Sequence, residues 1–236
     1  MADVAVLNGN DPEIRRVSAG AAVQKSFVHA APKEAGGVLV EGRFLLQGGP
    51  HGGASLDLSR LGQPGRHNRE NAAAAALAAL AFGAGQETVQ GALGTFRGLP
   101  HRIAPVATKG GVRFFNDSKA TNIDAVAKAL EAFSDPVVLI MGGRNKGYRF
   151  GGLAEVVKAH AKALLVIGES APEIVNDLGG VVPSQVCSDM GDAVARAVGL
   201  ASPGDVVLLS PGCASFDMYK NYAERGDSFC RAVAAI

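Results

Sequence analysis

The run Asn116-Asp117-Ser118-Lys119-Ala120-Thr121-Asn122 packs a carboxylate, an ammonium and two hydroxyls into one short stretch. Asp117 can accept a hydrogen bond from a ribose hydroxyl or a metal-bound water, and Lys119 can neutralise a phosphate. Thr121 can hold a carboxylate with help from the positive end of a following helix. An ordinary helix N-cap, with Thr121 or Asn122 satisfying free backbone N–H groups, explains the same residues without a ligand. A second run, Gly142-Gly143-Arg144-Asn145-Lys146-Gly147, offers glycines that let backbone amides approach an anion and two cations, Arg144 and Lys146, that can bind it. It does not satisfy the dinucleotide pattern Gly-x-Gly-x-x-Gly, and plain connectors look similar. A third, Ser210-Pro211-Gly212-Cys213-Ala214-Ser215-Phe216-Asp217, leaves room for a ligand, with Ser215 able to hold a carboxylate. Cys213 invites a nucleophile reading, but no histidine follows His160 to activate it.

Two further runs carry polar chemistry. In His67-Asn68-Arg69-Glu70-Asn71 the amides of Asn68 and Asn71 share a helix face and can read an adenine edge, or Asn68 simply caps the helix. In Leu99-Pro100-His101-Arg102 the arginine is either a phosphate contact or an ordinary surface residue of a linker.

The elements that must position these runs alternate. Strands are expected at Val112–Asn116, Val137–Met141, Leu164–Ile167 and Val206–Leu209, with a weaker one near Gln185–Cys187. Helices are expected at Asn122–Phe133, Leu153–Ala161, Pro172–Leu178, Asp189–Leu200 and Asn221–Ala234. Near-continuous apolar strands between helices indicate α/β architecture with a mainly parallel, doubly wound sheet and helices on both faces. Asn116–Asn122, Gly142–Gly147 and Ser210–Asp217 then follow three parallel strands and should open on one sheet edge, where ligands bind in such folds. Upstream, Val4–Asn8 reads as a buried strand, Pro12 as the start of a short helix, Lys25–His29 as a strand and Gly37–Gln47 as a β-hairpin. Ala54–Leu58 follows as a third antiparallel strand, 62–66 as loop, and helices at Asn68–Phe82 and Gln86–Phe96. Ala72–Phe82 reads as a buried helix. Gly98-Leu99-Pro100 breaks the pattern, and a domain boundary is placed there, giving units 1–98 and 99–236.

The bulk numbers exclude several classes. The chain has 236 residues, a net charge of +1 and 47% hydrophobic residues, enough for a sizeable core and without the basic excess that nucleic acid demands. Its three cysteines, Cys187, Cys213 and Cys230, match no zinc or redox spacing and read as free thiols of a cytoplasmic protein. No leader pattern opens the chain, and no apolar run reaches the ~18 residues of a membrane span.

In order, His67-Asn68-x-x-Asn71, Gly98-Leu99-Pro100-His101-Arg102, Asn116–Asn122, Gly142-Gly143, Leu209-Ser210-Pro211-x-x-Ala214-Ser215-Phe216-Asp217 and Tyr222-x-x-Arg225-Gly226 resemble the Mur ligase family across essentially the whole chain. The likeness is greatest to its D-glutamate-adding branch, and the Asp-Asn-Pro-Arg motif of the diaminopimelate-adding branch is absent. The resemblance implies a cytoplasmic, monomeric enzyme of peptidoglycan precursor synthesis. In it, ATP phosphorylates the carboxylate of UDP-N-acetylmuramoyl-L-alanine and D-glutamate attacks the acyl phosphate to give an amide. It implies that Asn68 and Asn71 hold adenine, Arg102 the phosphates and Asp117 the ribose. Lys119 and Asp117 carry the catalytic assignments, and Thr121, Lys146, Ser215, Phe216 and Tyr222 those for D-glutamate. Residues 1–98 then correspond to the later part of a central ATPase domain with a small antiparallel element, and 99–236 to a Rossmann-like C-terminal domain.

One departure is an absence. Such a ligase needs a P-loop, Gly-x-x-Gly-Lys-[Ser/Thr], and this chain has no Gly-Lys pair. The family's Mg2+ ligands also belong upstream of the matched region, so no metal site is expected within the chain. The expectation is a C-terminal part of a ligase, inactive alone. A non-catalytic nucleotide and D-glutamate binding module is the alternative. A nucleotide-binding oxidoreductase is disfavoured by the missing dinucleotide pattern.

Overall fold

The computed structural model describes residues 3–31, 34–48, 51–59, 61 and 65–236. Residues 62–64 of the loop expected at 62–66, and the side chain of His67, lie outside the described residues. The chain divides into two compact units, Met1–Arg97 and Gly98–Ile236.

The first unit is built on a five-stranded sheet in the order β1 (Val4–Asn8), β2 (Gln24–Val28), β3 (Gly36–Val40), β4 (Arg43–Gln47), β5 (Ser55–Asp57). β1, β2 and β3 run parallel, and β3 to β5 form the antiparallel element expected from the hairpin pattern. α1 (Pro12–Ser18) opens with proline after Asp11, whose carboxylate caps the N–H groups of Glu13 and Ile14. α2 (Arg66–Ala81) and α3 (Gln86–Thr95) pack on the sheet through Ala73, Ala76, Leu77, Leu80 and Val89, against Val28, Phe44, Leu46, Leu56 and Leu58. α2 is therefore buried along one face only, and Phe82 at its end is 83% exposed, against the expectation of a buried Ala72–Phe82 run. α2 also starts earlier than expected, with Gly65 as N-cap, so Asn68 is not the cap.

The second unit holds six strands, β6 (Ala104–Lys109), β7 (Val112–Asn116), β8 (Val137–Gly142), β9 (Ala161–Ile167), β10 (Ser184–Val186) and β11 (Val206–Leu209), in the order β10-β9-β8-β11-β7-β6. All pairings are parallel except the β6–β7 hairpin. β6 was not anticipated, because Ala104-Pro105-Val106-Ala107-Thr108-Lys109 lacks a strong apolar run and carries a proline, tolerated here on an edge strand.

Strand alternation assigns the two faces. Val137, Leu139, Met141, Leu164, Val166, Val206 and Leu208 meet α4 (Ile123–Leu130), a 3-10 turn at Phe150–Leu153, α5 (Ala154–His160) and α6 (Ala171–Leu178). Val138, Ile140, Leu165, Val207 and Leu209 meet α7 (Met190–Leu200) and α8 (Tyr222–Ala235). Every residue of β8 and β11 is buried, as parallel strands covered on both sides must be. Gly142 ends β8 at φ +124°, where a Cβ would run into the carbonyl of Ile167, so the close approach of β8 to β9 admits only glycine there.

Leu139 is 0% exposed at the centre of this sheet. Leu139→Ala is expected to lower the unfolding free energy of the unit by about 3 kcal/mol. A lower urea midpoint with unchanged slope is the readout.

Candidate functional site

β11 lies between β7 and β8, so the chain leaves β7, crosses by α4 to β8, and returns only later to fill the gap. The loops after β7, β11 and β8 consequently open side by side at the carboxyl edge, at a reversal of strand order where α/β sheets bind ligands. Among the described residues, the buried polar or charged side chains are Asn116, Asp117, Ser118, Ser170, Ser210, Ser215, Arg225 and Asp205, and all but Asp205 belong to this edge or to α8. Polar burial concentrated at one edge needs internal partners.

Asn116 ends β7 and sets the loop that follows. Its Oδ1 accepts the N–H of Ser118 at 3.0 Å, which leaves Nδ2 to donate to the carbonyl of Gly226 at 3.0 Å and to His101 Nδ1 at 3.1 Å. His101 Nδ1 is thus an acceptor, and the ring proton sits on Nε2. Gly226 lies inside α8, where a Cβ would collide with His101 and Asn116. Downstream, Asn122 is the cap of α4, accepting from Ala125 N at 2.8 Å, so Asn122 rather than Thr121 takes the capping role and Thr121 is left at the loop surface, half-buried.

Asp117 is buried, taking Ile103 N–H on Oδ1 at 3.2 Å and the Ser210 hydroxyl on Oδ2 at 2.9 Å. Burial pushes its carboxyl up from 3.8 to about 7, against the opposing pull of Ser210, Ile103 and the Arg102 charge. Arg102 is exposed and is held between His101 and Ile103, both at positive φ, +62° and +44°. A β-branched residue in that region is strained backbone, maintained here by the Asp117 hydrogen bond to Ile103 and by Lys119 N–H on the His101 carbonyl at 3.0 Å.

The rim of the crevice carries the cations. Lys119 is exposed, with Nζ 4.0 Å from the centroid of the Tyr222 ring, and Lys146 Nζ lies 3.5 Å from Thr121 Oγ1. Ser118 Oγ donates to the Tyr222 carbonyl at 2.7 Å, so the loop after β7 and the start of α8 are joined directly. Phe216 is 64% exposed beside buried Ser215. Arg144, offered above as an alternative anion binder, is instead forked onto Glu169 at 2.9 and 2.8 Å.

Sequence reasoning missed a fourth loop, Gly168-Glu169-Ser170 after β9. Ser170 Oγ donates to the Gly143 carbonyl, and Glu169 N–H reaches Asp217 Oδ2 at 3.0 Å. Its only signal in the sequence is its place after a strand. Arg225 was part of a recognised motif but had no assigned role. It is 1% exposed, and its guanidinium reaches Ser118, Gly142 and Cys213. Cys213 is fully buried against Ser170, and burial raises its thiol, so it is a packing residue and not a nucleophile.

Asn68 and Asn71 stand in the first turns of α2 in the other unit, Asn68 half-buried and Asn71 exposed. There, His29 Nε2 and Arg66 Nε both meet Glu70 Oε1, at 3.2 and 3.0 Å, and steady the start of that helix. Among the described residues no group of three or more His, Cys, Asp or Glu is placed to hold a metal ion. Nor is any helix among them long and apolar enough to cross a membrane.

The fold and the edge define a Rossmann-like α/β domain with a polar, cation-rimmed crevice at its switch point. Residues 101–213 match the Mur ligase glutamate ligase domain. The UDP-N-acetylmuramoylalanine–D-glutamate ligase of Desulfatibacillum aliphaticivorans is 48% identical over 236 residues, covering 100% of this chain and 52% of that protein. The enzyme of the same name from Salinibacter ruber is 39% identical, covering 99% and 52%. Among solved structures, the UDP-N-acetylmuramate-alanine ligase of Thermotoga maritima shares the fold at TM-score 0.68 and 17% identity, covering 99% of this chain and 52% of that one. The chain belongs to the Mur ligase family. It spans about half the length of the curated relatives it matches.

Asp117 gives a pH prediction. Its folded value lies above the unfolded one, so its contribution to stability is fully present below about 3.8 and is lost as pH rises to about 7. The chain is expected to melt at a lower temperature at pH 8 than at pH 5, by an amount worth a few kcal/mol, and Asp117→Asn should flatten that slope. Melting curves from pH 4 to 8 on both proteins check it.

Proposed function

We propose that this chain serves an ATP-dependent, amide-forming ligase that adds D-glutamate to UDP-N-acetylmuramoyl-L-alanine in the cytoplasm, acting as a monomer in peptidoglycan precursor synthesis. The observation that carries the reading is 48% identity along the entire chain to an enzyme with that name. The crevice geometry supports it. D-glutamate brings two carboxylates and needs charged and hydroxyl donors at fixed separation. Lys146 beside Thr121 offers one such pair, and in this reading Ser215, Phe216 and Tyr222 supply the remaining contacts to D-glutamate.

In this reading residues 1–98 belong to the ATP-binding domain and 99–236 to the amino-acid domain. ATP, when bound, supplies the phosphoryl group that activates the acceptor carboxylate. Asn68 and Asn71 hold its base and Arg102 its phosphates. Asp117 accepts from the ribose once ionised, and its pKa of about 7 leaves both protonation states accessible near neutrality. Lys119, resting on Tyr222, is the exposed cation available to the reacting carboxylate and phosphate. Positioning and charge neutralisation are what phosphoryl transfer asks of a protein. Magnesium belongs to the reaction in this reading, with ligands outside this chain.

With no Gly-Lys pair the chain lacks a P-loop, and it therefore works only alongside a P-loop-bearing half. The purified chain is expected to bind D-glutamate in the millimolar range by calorimetry and to show no D-glutamate-dependent ATP hydrolysis. Lys146→Ala should weaken that binding at least tenfold. Absence of heat at millimolar D-glutamate sinks the binding assignment, and hydrolysis by the chain alone sinks the dependence on a second half. Restored ligation after adding the N-terminal half of a relative separates an enzyme part from a non-catalytic binding module.

A further inference from the structure

The loops after β7, β8 and β11 carry different ligand groups, and nothing in their own sequences fixes their separation. Thr121 lies a few residues beyond Ser118, Lys146 beyond Gly142 and Ser215 beyond Cys213. All of these anchor residues meet one side chain, and it comes from none of the loops. Arg225 of α8 donates from Nε to Ser118 Oγ at 3.0 Å and from Nη2 to the Ser118 carbonyl at 2.9 Å. From Nη1 it donates to the Cys213 carbonyl at 3.1 Å and the Gly142 carbonyl at 3.4 Å.

We infer that Arg225 is the positioning residue of this crevice. By holding the main chains of the three ligand-bearing loops on one guanidinium, it sets the spacing of Thr121, Lys146 and Ser215 and so governs D-glutamate affinity. The inference rests on the D-glutamate reading above.

Three observations favour a positioning role over plain core packing. The residue is a cation, 1% exposed, and among the described residues no carboxylate lies within 4.0 Å of it. Burial accordingly lowers its pKa to about 10, with Asp217 opposing from farther off. An apolar side chain would serve stability at least as well as a buried charge without an ionic partner, so the charge is retained for what it orders. The second observation is the choice of acceptors. They are mainly backbone carbonyls, so the bonds fix where the chain runs and not which side chains it presents. The third is donor geometry. A planar fork reaches three separate directions at once, which an ammonium on a flexible stem cannot do. Ser118 couples the fork onward, because its hydroxyl also donates to the Tyr222 carbonyl at 2.7 Å.

The test is Arg225→Lys in the full chain, read by circular dichroism, by D-glutamate calorimetry and by amide hydrogen exchange. The expected result is a retained fold and D-glutamate binding weakened tenfold or more. Exchange should rise at least tenfold in residues 118–122, 143–147 and 213–216, with β9 unchanged. Unchanged affinity in a folded variant, or exchange that accelerates uniformly through the sheet, overturns the inference. Ser118→Ala is the milder variant and decides the matter if Arg225→Lys does not fold. It should weaken binding about threefold and loosen 213–216 as well as 118–122, since the two segments share the guanidinium. Loosening confined to 118–122 overturns the tie. A wild-type chain that takes no D-glutamate defeats the functional reading, and the exchange pattern then decides independently whether Arg225 holds the loops.

Discussion

A single buried guanidinium holds the carboxyl edge of the second unit together. Arg225 reaches α8's neighbours on three loops through Ser118, Gly142 and Cys213, and each of those contacts is a hydrogen bond to an ionised donor. Such bonds are worth roughly 1.5–3 kcal/mol apiece where they are made. Removing the donor takes these bonds away from carbonyls that are buried with it. The rest of the edge follows from this placement. Gly226 must be glycine so that α8 can lie against His101 and Asn116, and at Gly143 a Cβ would run into the Ala214 carbonyl beside the Arg225 fork. The helix is in turn seated by its own cap, Asn221 on Glu224 N–H at 2.9 Å, with Glu224 reaching back to Lys220 N–H at 2.7 Å.

Much of this architecture is legible in the amino-acid sequence. The long apolar strands β7, β8, β9 and β11 and the amphipathic helices between them have strong periods, and their polar loops lie at predictable strand ends. The convergence of Asn116–Asn122, Gly142–Gly147 and Ser210–Asp217 followed from that pattern alone. What escaped had physical reasons. β6 pairs through its backbone at a sheet edge and has no apolar signature. α2 begins at Arg66 because Gly65 supplies the turn without any side-chain cap, whereas the first residue with a capping side chain in that stretch is Asn68. The role of Arg225 was hidden because its partners are mostly carbonyl groups, which every residue possesses. Glu169 could not be foreseen as the partner of Arg144, since only the pairing of β8 with β9 brings them together.

Local rules were broken where the crevice is. His101 and Ile103 occupy a backbone region that disfavours them, and Asp117 is a buried carboxyl whose pKa burial pushes up to about 7. These departures sit within a few residues of one another and share partners, Ile103 N–H with Asp117 and the His101 carbonyl with Lys119 N–H. Sequences tend to depart from local preference where a site demands it. The other unit shows a comparable concentration at the start of α2, where His29 at φ +61° contacts Glu70.

The position of β11 has a consequence for synthesis on the ribosome. Until Val206–Leu209 has emerged, β7 and β8 have no strand between them, and each presents an open row of backbone donors and acceptors. The sheet therefore cannot close progressively from its first strand to its last. A nascent chain that already contains β7, β8, β9 and β10 still lacks the strand that joins β7 to β8, and its longest-range pairings form at the end. A premature stop or slow codons shortly before residue 206 would leave two sticky strand edges exposed together, a state that chaperones would have to shield until the final strand arrives.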